Sequence, residues 1–252
     1  MIELVIFDWA GTTIDYGCIA PVDAFAKAFK KNKIEVTIDE VRKPMGMLKW
    51  DHIEAMLKMP RINEEFKRIY GREFDEHDVN TINNDFEDEL FKVLKDYTTP
   101  LPHVLEVVTK LRENGIKIGS TTGYNSKMMK VVTKEAREEG YAPDYYSTAD
   151  KVGKGRPSPL MIEDNMKHFE ISDPKKVIKV GDTTTDILEG KNAKVISVAT
   201  ILGSSELGLK EDEIVTNIQV ERVKQRFQES KADYILNDIS ELPELIDKLN
   251  KK

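Results

Sequence analysis

Two hydrophobic textures alternate along the chain. Residues 2–8 form a near-continuous apolar run, Ile2-Glu3-Leu4-Val5-Ile6-Phe7, closed by Asp8. That is the pattern of a strand buried on both faces. The next run of comparable quality is Ile116-Lys117-Ile118-Gly119-Ser120-Thr121. Between the two, apolar residues recur at helical spacing over 21–31, 50–57, 62–70 and 75–95, among many Lys, Glu and Asp, with no convincing strand. Such a block predicts an inserted all-helical domain over 17–99.

From residue 100 onward the pattern is βα. Helices are predicted over 102–113, 126–139, 157–169, 183–191, 219–229 and 240–250, and strands over 116–121, 143–148, 176–180, 195–200 and 234–236. Gly115 closes the first of these helices. Strands separated by helices predict an α/β fold, a parallel sheet with helices on both faces. Its sites lie at the C-terminal ends of the strands. The expected organisation is a core of residues 1–16 and 100–252 carrying a helical cap at 17–99. Hinges are expected near 15–20 and 96–102, where Gly17 and Thr98-Thr99-Pro100 interrupt the pattern.

Composition narrows the class. With 252 residues, 40% hydrophobic and 33% charged, the chain can bury a sizeable core as a soluble globular protein. A net charge of −7 argues against a general nucleic-acid binder, which needs a basic surface. The single cysteine, Cys18, rules out an internal disulfide and a multi-cysteine metal site, and suits a reducing compartment. No apolar run approaches ~18 residues and no secretory leader pattern is present, so no membrane partner and a cytoplasmic location are expected.

Polar groups stand at four predicted strand ends: Asp8, then Thr121-Thr122-Gly123, then Arg156 in a G-R-P turn, then Asp182 with Asp186 in G-D-T-T-T-D. Carboxylates gathered beside Asp8 would make an oxygen-only site suited to Mg²⁺. The Thr122 hydroxyl, nearby amides and Arg156 could hold phosphate oxygens. Each piece alone is ordinary: Asp in such a turn is usually a helix cap, and an Arg before Pro is usually solvated. All four in this order are far harder to produce by accident.

Together these motifs resemble the haloacid dehalogenase (HAD) superfamily and, within it, the phosphonatase family. The matching text is F-D-W-A-G-T-T-I-D-Y-G, R-K-P-M-G-M-L-K-W-D-H-I, M-P-R-I, I-G-S-T-T-G-Y, G-R-P, K-V-G-D-T-T-T-D and I-L-G-S-S-E-L-G-L, spread from residue 7 to residue 209. The first two blocks are the specific ones. The resemblance implies a HAD-like Rossmannoid core, one Mg²⁺ per subunit, a homodimer formed through cap helices such as 21–31, and hydrolysis of the P–C bond of phosphonoacetaldehyde. It implies Asp8 as nucleophile, Lys49 as Schiff-base lysine and His52 as its proton-transfer partner. Substrate contacts fall to Thr122, Gly123, Tyr124, Arg156, Met45, Gly46 and Cys18. Metal contacts fall to Asp8, the Ala10 backbone carbonyl and Asp182, with Asp186 in support.

Ala10 gives the resemblance chemical sense. Phosphatases of this layout carry a second acid there to protonate an alkoxide leaving group, whereas a P–C bond would expel a carbanion and needs an electron sink instead. Taken alone, Lys49 would read as surface charge, His52 as a helix-surface residue, Met45 as core and Cys18 as a small buried hydrophobe. The competing readings are a phosphate-ester phosphatase or phosphomutase on the same scaffold, which Ala10 disfavours, and a non-catalytic phosphate-binding regulator, which the intact acids disfavour.

Overall fold

The computed structural model describes residues 1–251. Strand β1 (Leu4–Phe7) is wholly buried. It is followed by a block of five helices: α1 (Ile19–Lys31), α2 (Ile38–Arg42), α3 (Lys49–Leu57), α4 (Pro60–Tyr70) and α5 (Glu76–Val93). Then come α6 (Val104–Glu113), β2 (Lys117–Thr122), α7 (Ser126–Glu138), β3 (Ser147–Thr148), α8 (Ala149–Val152), α9 (Leu160–His168) and β4 (Val177–Gly181). The chain closes with α10 (Thr184–Asn192), β5 (Ile196–Thr200), α11 (Asn217–Glu229), β6 (Tyr234–Leu236) and α12 (Leu242–Asn250).

All six strands are parallel, in the order β3-β2-β1-β4-β5-β6. The order reverses at β1, which pairs with β2 on one side and β4 on the other, so Asp8 emerges at the switch point where such sheets bind ligands. The helical block joins the sheet core by two connections that meet at one antiparallel bridge between Ile14 and Pro100, reinforced by the Leu101 amide donating to Thr13 O at 2.9 Å. Inside the block, α1 packs its apolar face, including Phe25 and Phe29, onto α5, leaving Asp23, Lys27, Lys30 and Lys31 exposed.

Three differences from the sequence pattern have physical causes. Helix α2 is too short for periodicity to reveal, yet Thr37 and Glu40 form a reciprocal capping box that starts it. The predicted strand over 143–148 shrinks to Ser147–Thr148, because the Asp144 amide instead donates to Ile118 O at 2.8 Å and its carboxylate accepts from Ile118 N at 2.9 Å. Helix α9 begins at Leu160, after the Pro157-Ser158-Pro159 turn, whose Ser158 amide donates to Gly155 O at 3.1 Å.

Candidate active site

After β1 the chain turns tightly, with the amides of Thr12, Thr13 and Ile14 all donating to Trp9 O at 2.8 to 3.1 Å. Gly11 makes the turn possible: its φ is +89°, and a β-carbon there would stand 2.3 Å from Asp182 Oδ2. Asp182 is fully buried at the end of β4. Its Oδ1 accepts from Thr12 Oγ1 at 2.9 Å and its Oδ2 from the Ser205 amide at 2.8 Å. Asp8, Asp182 and Asp186 are all buried, each offering a carboxylate oxygen within 4.8 Å of the others.

Asp182 makes no ion pair among the described residues. Burial, and then the proximity of Asp8 and Asp186, push its carboxyl well above the usual range. A buried, oxygen-only, electron-rich cluster of this kind fits a hard dication, which would remove the repulsion.

Behind the carboxylates lies a chain of buried charges. Arg156, 2% exposed, reaches Asp8 Oδ1 at 2.7 Å, Asp186 Oδ1 at 3.0 Å and Glu189 Oε2 at 2.9 Å, and donates to Thr121 Oγ1 at 2.7 Å. Lys179, fully buried in β4, lies 2.8 Å from Asp186 Oδ1 and 3.5 Å from Glu189 Oε2. Burial alone would lower the Arg156 pKa, but Asp186, Asp8 and Glu189 outweigh it and raise it. Burial would likewise raise Asp186, yet Arg156 and Lys179 hold it below the carboxylate range. With all groups ionised, four carboxylates (Asp8, Asp182, Asp186, Glu189) face two cations, an excess of two negative charges that a dication would balance.

The helical block supplies the opposite wall. Lys49 opens α3 and is 6% exposed, with no ion pair among the described residues. Its Nζ lies 5.6 Å from the Phe25 ring centroid and 5.2 Å from that of Tyr124. Burial lowers its pKa, and Arg156 adds to the effect against the opposing pull of Asp8 and Asp15. The preceding loop lies directly on the sheet ends. Met45 O accepts from Thr185 Oγ1 at 3.0 Å, and a β-carbon on Gly46 (φ +89°) would stand 2.5 Å from Thr183 Oγ1. From the sheet side, a β-carbon on Gly123 would stand 2.8 Å from Met47 O and 3.6 Å from Lys49 Nζ.

Asp8, Ala10, Cys18, Met45, Gly46, Lys49, Thr122, Gly123, Tyr124 and Arg156, all singled out from sequence, line one small pocket together with Thr183. Its free space is about 20 Å³, room for about one water molecule. Asp182, Asp186 and His52 are not among its lining residues. His52 is fully buried, stacked on Phe25 with centroids 3.9 Å apart, and its Nε2 lies 2.9 Å from Val41 O. That contact requires the proton on Nε2, leaving a buried Nδ1 lone pair without a partner. Burial, and then Lys49, hold the ring well below its usual pKa, so it is neutral. Cys18 adopts a left-handed backbone (φ 53°) just before α1, and burial keeps its sulfur a thiol.

Sequence reasoning missed Lys179 and Glu189. A signal existed for both. Lys179 is the one charge inside an otherwise apolar strand, and Glu189 follows Asp186 by three residues, on the same face of α10.

This geometry defines a haloacid dehalogenase-like hydrolase, and the family model of that description matches residues 2–194. A phosphonoacetaldehyde hydrolase of Bacillus cereus is 47% identical over 257 residues, spanning 100% of this chain and 97% of that protein. Another, of Lysinibacillus sphaericus, is 48% identical over 258 residues, spanning 100% and 96%. The crystal structure of a phosphonoacetaldehyde hydrolase-like protein of Oleispira antarctica superposes with a TM-score of 0.95 at 34% identity, covering 99% of this chain and 93% of that one. The chain belongs to the phosphonoacetaldehyde hydrolase family. No helix among the described residues is long and apolar enough to cross a membrane.

Proposed function

We propose that this protein hydrolyses phosphonoacetaldehyde to acetaldehyde and phosphate, through an imine on Lys49 and an acyl phosphate on Asp8. One observation carries the reading: a buried lysine with no counter-ion among the described residues, placed by the helical block in the pocket that holds Asp8 and Arg156. A lysine in that setting is shifted toward the neutral amine that adds to an aldehyde.

Lys49 Nζ adds to the aldehyde carbon, and loss of one water gives a protonated imine. Asp8 then attacks phosphorus opposite the P–C bond. As that bond breaks, its electron pair moves into the carbon skeleton to neutralise the iminium, leaving an enamine instead of a carbanion. Protonation at carbon and addition of one water release acetaldehyde and regenerate Lys49. A second water cleaves the aspartyl phosphate, restoring Asp8 and freeing phosphate.

Arg156 orients Asp8 and offsets phosphoryl charge. Thr122 and the backbone around Gly123 bind phosphoryl oxygens. Mg²⁺, held by Asp8, Asp182 and the Ala10 carbonyl with Asp186 behind, would neutralise phosphoryl charge. Neutral His52 acts through its Nδ1 lone pair, taking protons during imine formation and returning them. Met45, Gly46, Cys18 and Tyr124 shape the aldehyde end. The residues 17–99 act as a cap that shields both hydrolysable intermediates from bulk water. Any dimer through α1 has to use its polar side, since α5 of the same chain covers the apolar one.

Borohydride reduction with phosphonoacetaldehyde and Mg²⁺, followed by peptide mapping, tests the reading. A two-carbon adduct on Lys49 is expected. Acetaldehyde release with no trapped lysine would remove the imine. Efficient p-nitrophenyl phosphate cleavage with no acetaldehyde release would favour an ester phosphatase.

A further inference from the structure

Two sequence blocks that the reaction leaves partly unused meet at one side chain. Arg42 ends α2 at the head of R-K-P-M-G-M-L-K, and it reaches across to the loop over 203–209 inside I-L-G-S-S-E-L-G-L. Its Nη1 donates to Gly17 O at 2.8 Å, Ser205 O at 3.1 Å and Ser205 Oγ at 3.2 Å, and its Nη2 to Gly208 O at 3.4 Å. It makes no ion pair among the described residues, so one guanidinium is held entirely by carbonyls and a hydroxyl.

The acceptors are three residues in two parts of the molecule, the first connection and the 203–209 loop. Gly17 lies in the first connection between the sheet core and the helical block, and its amide donates to Gly203 O at 2.7 Å, so this connection is tied to the same loop. Gly208, at φ +70°, brings its backbone against the arginine; a β-carbon there would stand 2.9 Å from Arg42 Nε. Ser205 is the third: the residue whose carbonyl and hydroxyl hold Arg42 turns its amide to Asp182 Oδ2 at 2.8 Å. One residue therefore separates the guanidinium from a carboxylate of the acidic cluster. Seven residues further along the block is Lys49.

We propose that Arg42 is a positioning residue that couples closure of the helical block over the pocket to the orientation of Asp182. With the block closed, the guanidinium fixes the Ser205 peptide so that its N–H points at Asp182. With the block away, the 203–209 loop loses its three contacts to the guanidinium and Asp182 loses a fixed donor. Delivery of Lys49 and ordering of the metal-binding carboxylate then become one event. The inference rests on the proposed reaction for its meaning, though its physical core, one arginine ordering one carboxylate through one peptide, can be judged without turnover.

The test compares the full-length parent with Arg42→Met and Arg42→Lys. Mg²⁺ affinity is read by titration calorimetry, and deuterium uptake by the 203–209 amides with and without Mg²⁺. Borohydride trapping at Lys49 and acetaldehyde release complete the set. For Arg42→Met the expectation is Mg²⁺ binding roughly tenfold weaker, as when a partner of a ligating carboxylate is lost. The loop amides exchange faster, trapping slows, and kcat/KM falls roughly a hundredfold. Arg42→Lys, which keeps the charge and can reach part of the carbonyl set, falls between; it carries the same readouts if the methionine variant does not fold.

Mg²⁺ affinity and loop exchange within twofold of the parent overturn the proposal, even where turnover drops, because Arg42 then serves the fold alone. A parent that releases no acetaldehyde overturns the proposed reaction instead, and leaves the metal and exchange measurements to decide on Arg42.

Discussion

The two walls of the pocket treat a buried cation in opposite ways. On the sheet side Arg156 and Lys179 are fully enclosed, and both meet Asp186 and Glu189. On the helical side Lys49 is nearly as buried but has aromatic rings where they have carboxylates. Burial penalises all three ammonium or guanidinium groups, so partners decide the outcome. Ion-paired cations are held as fixed scaffolding; the unmatched lysine is shifted toward the free amine that the proposed reaction needs. Around one pocket the same low-dielectric interior holds an electrostatic frame and, in the proposed reaction, a nucleophile.

That contrast can be broken at several points. The largest effect belongs to Lys49→Arg, which preserves the positive charge and removes the nucleophilic amine. Acetaldehyde release should fall to the detection limit while circular dichroism and Mg²⁺ affinity remain those of the parent. Normal turnover would end the reagent half of the comparison.

Next is Lys179→Met, which strips one cation from the matched network and leaves Asp186 and Glu189 sharing Arg156. Removing one partner of a buried ion pair costs about 3–5 kcal/mol, so the denaturation midpoint should drop sharply. A variant as stable as the parent would show that the network is not a frame.

A smaller effect is expected where the walls touch. Gly123→Ala puts a β-carbon against Met47 O and should hold the helical block off the sheet, lowering kcat/KM by roughly ten- to a hundredfold with little loss of stability. Unchanged kinetics would mean that the contact is not needed for turnover.

The subtlest test concerns Asp15, whose carboxylate caps α1 by accepting the Ile19 and Ala20 amides at 2.9 and 3.1 Å. Burial pushes its carboxyl up to about 7. The folded chain thus keeps a proton that the unfolded one releases near 3.9. Stability from this group is complete below about pH 4 and is lost as pH climbs toward 7. Asp15→Asn should flatten the stability profile across that window; an unaltered slope would assign it to other groups.

Much of this arrangement was legible in the chain because its signals are local. The apolar run ending at Asp8, the G-D-T-T-T-D turn and the strand-helix alternation each need only a few neighbouring residues to be read. Lys49 was legible only through the surrounding motif, since nothing in its own spacing distinguishes it from a surface lysine. Pairings between remote segments left the weakest trace. Lys179 meets Arg156 only through shared acids, and Arg42 meets Ser205 across 163 positions of sequence. Edge structure was also hard to foresee: β3 is cut to two residues where the Asp144 side chain takes the Ile118 amide of β2.

With residues 17–99 acting as the proposed cap, the bridge between Ile14 and Pro100 makes that cap an exchangeable module. Both crossings sit side by side, so the register of β1 with β2 does not depend on what is spliced between them. A different lid could be grafted at that seam without re-threading the sheet, and with it a different reactive group would face the same acids. New chemistry on this scaffold would then come by exchanging a plug instead of rebuilding a socket.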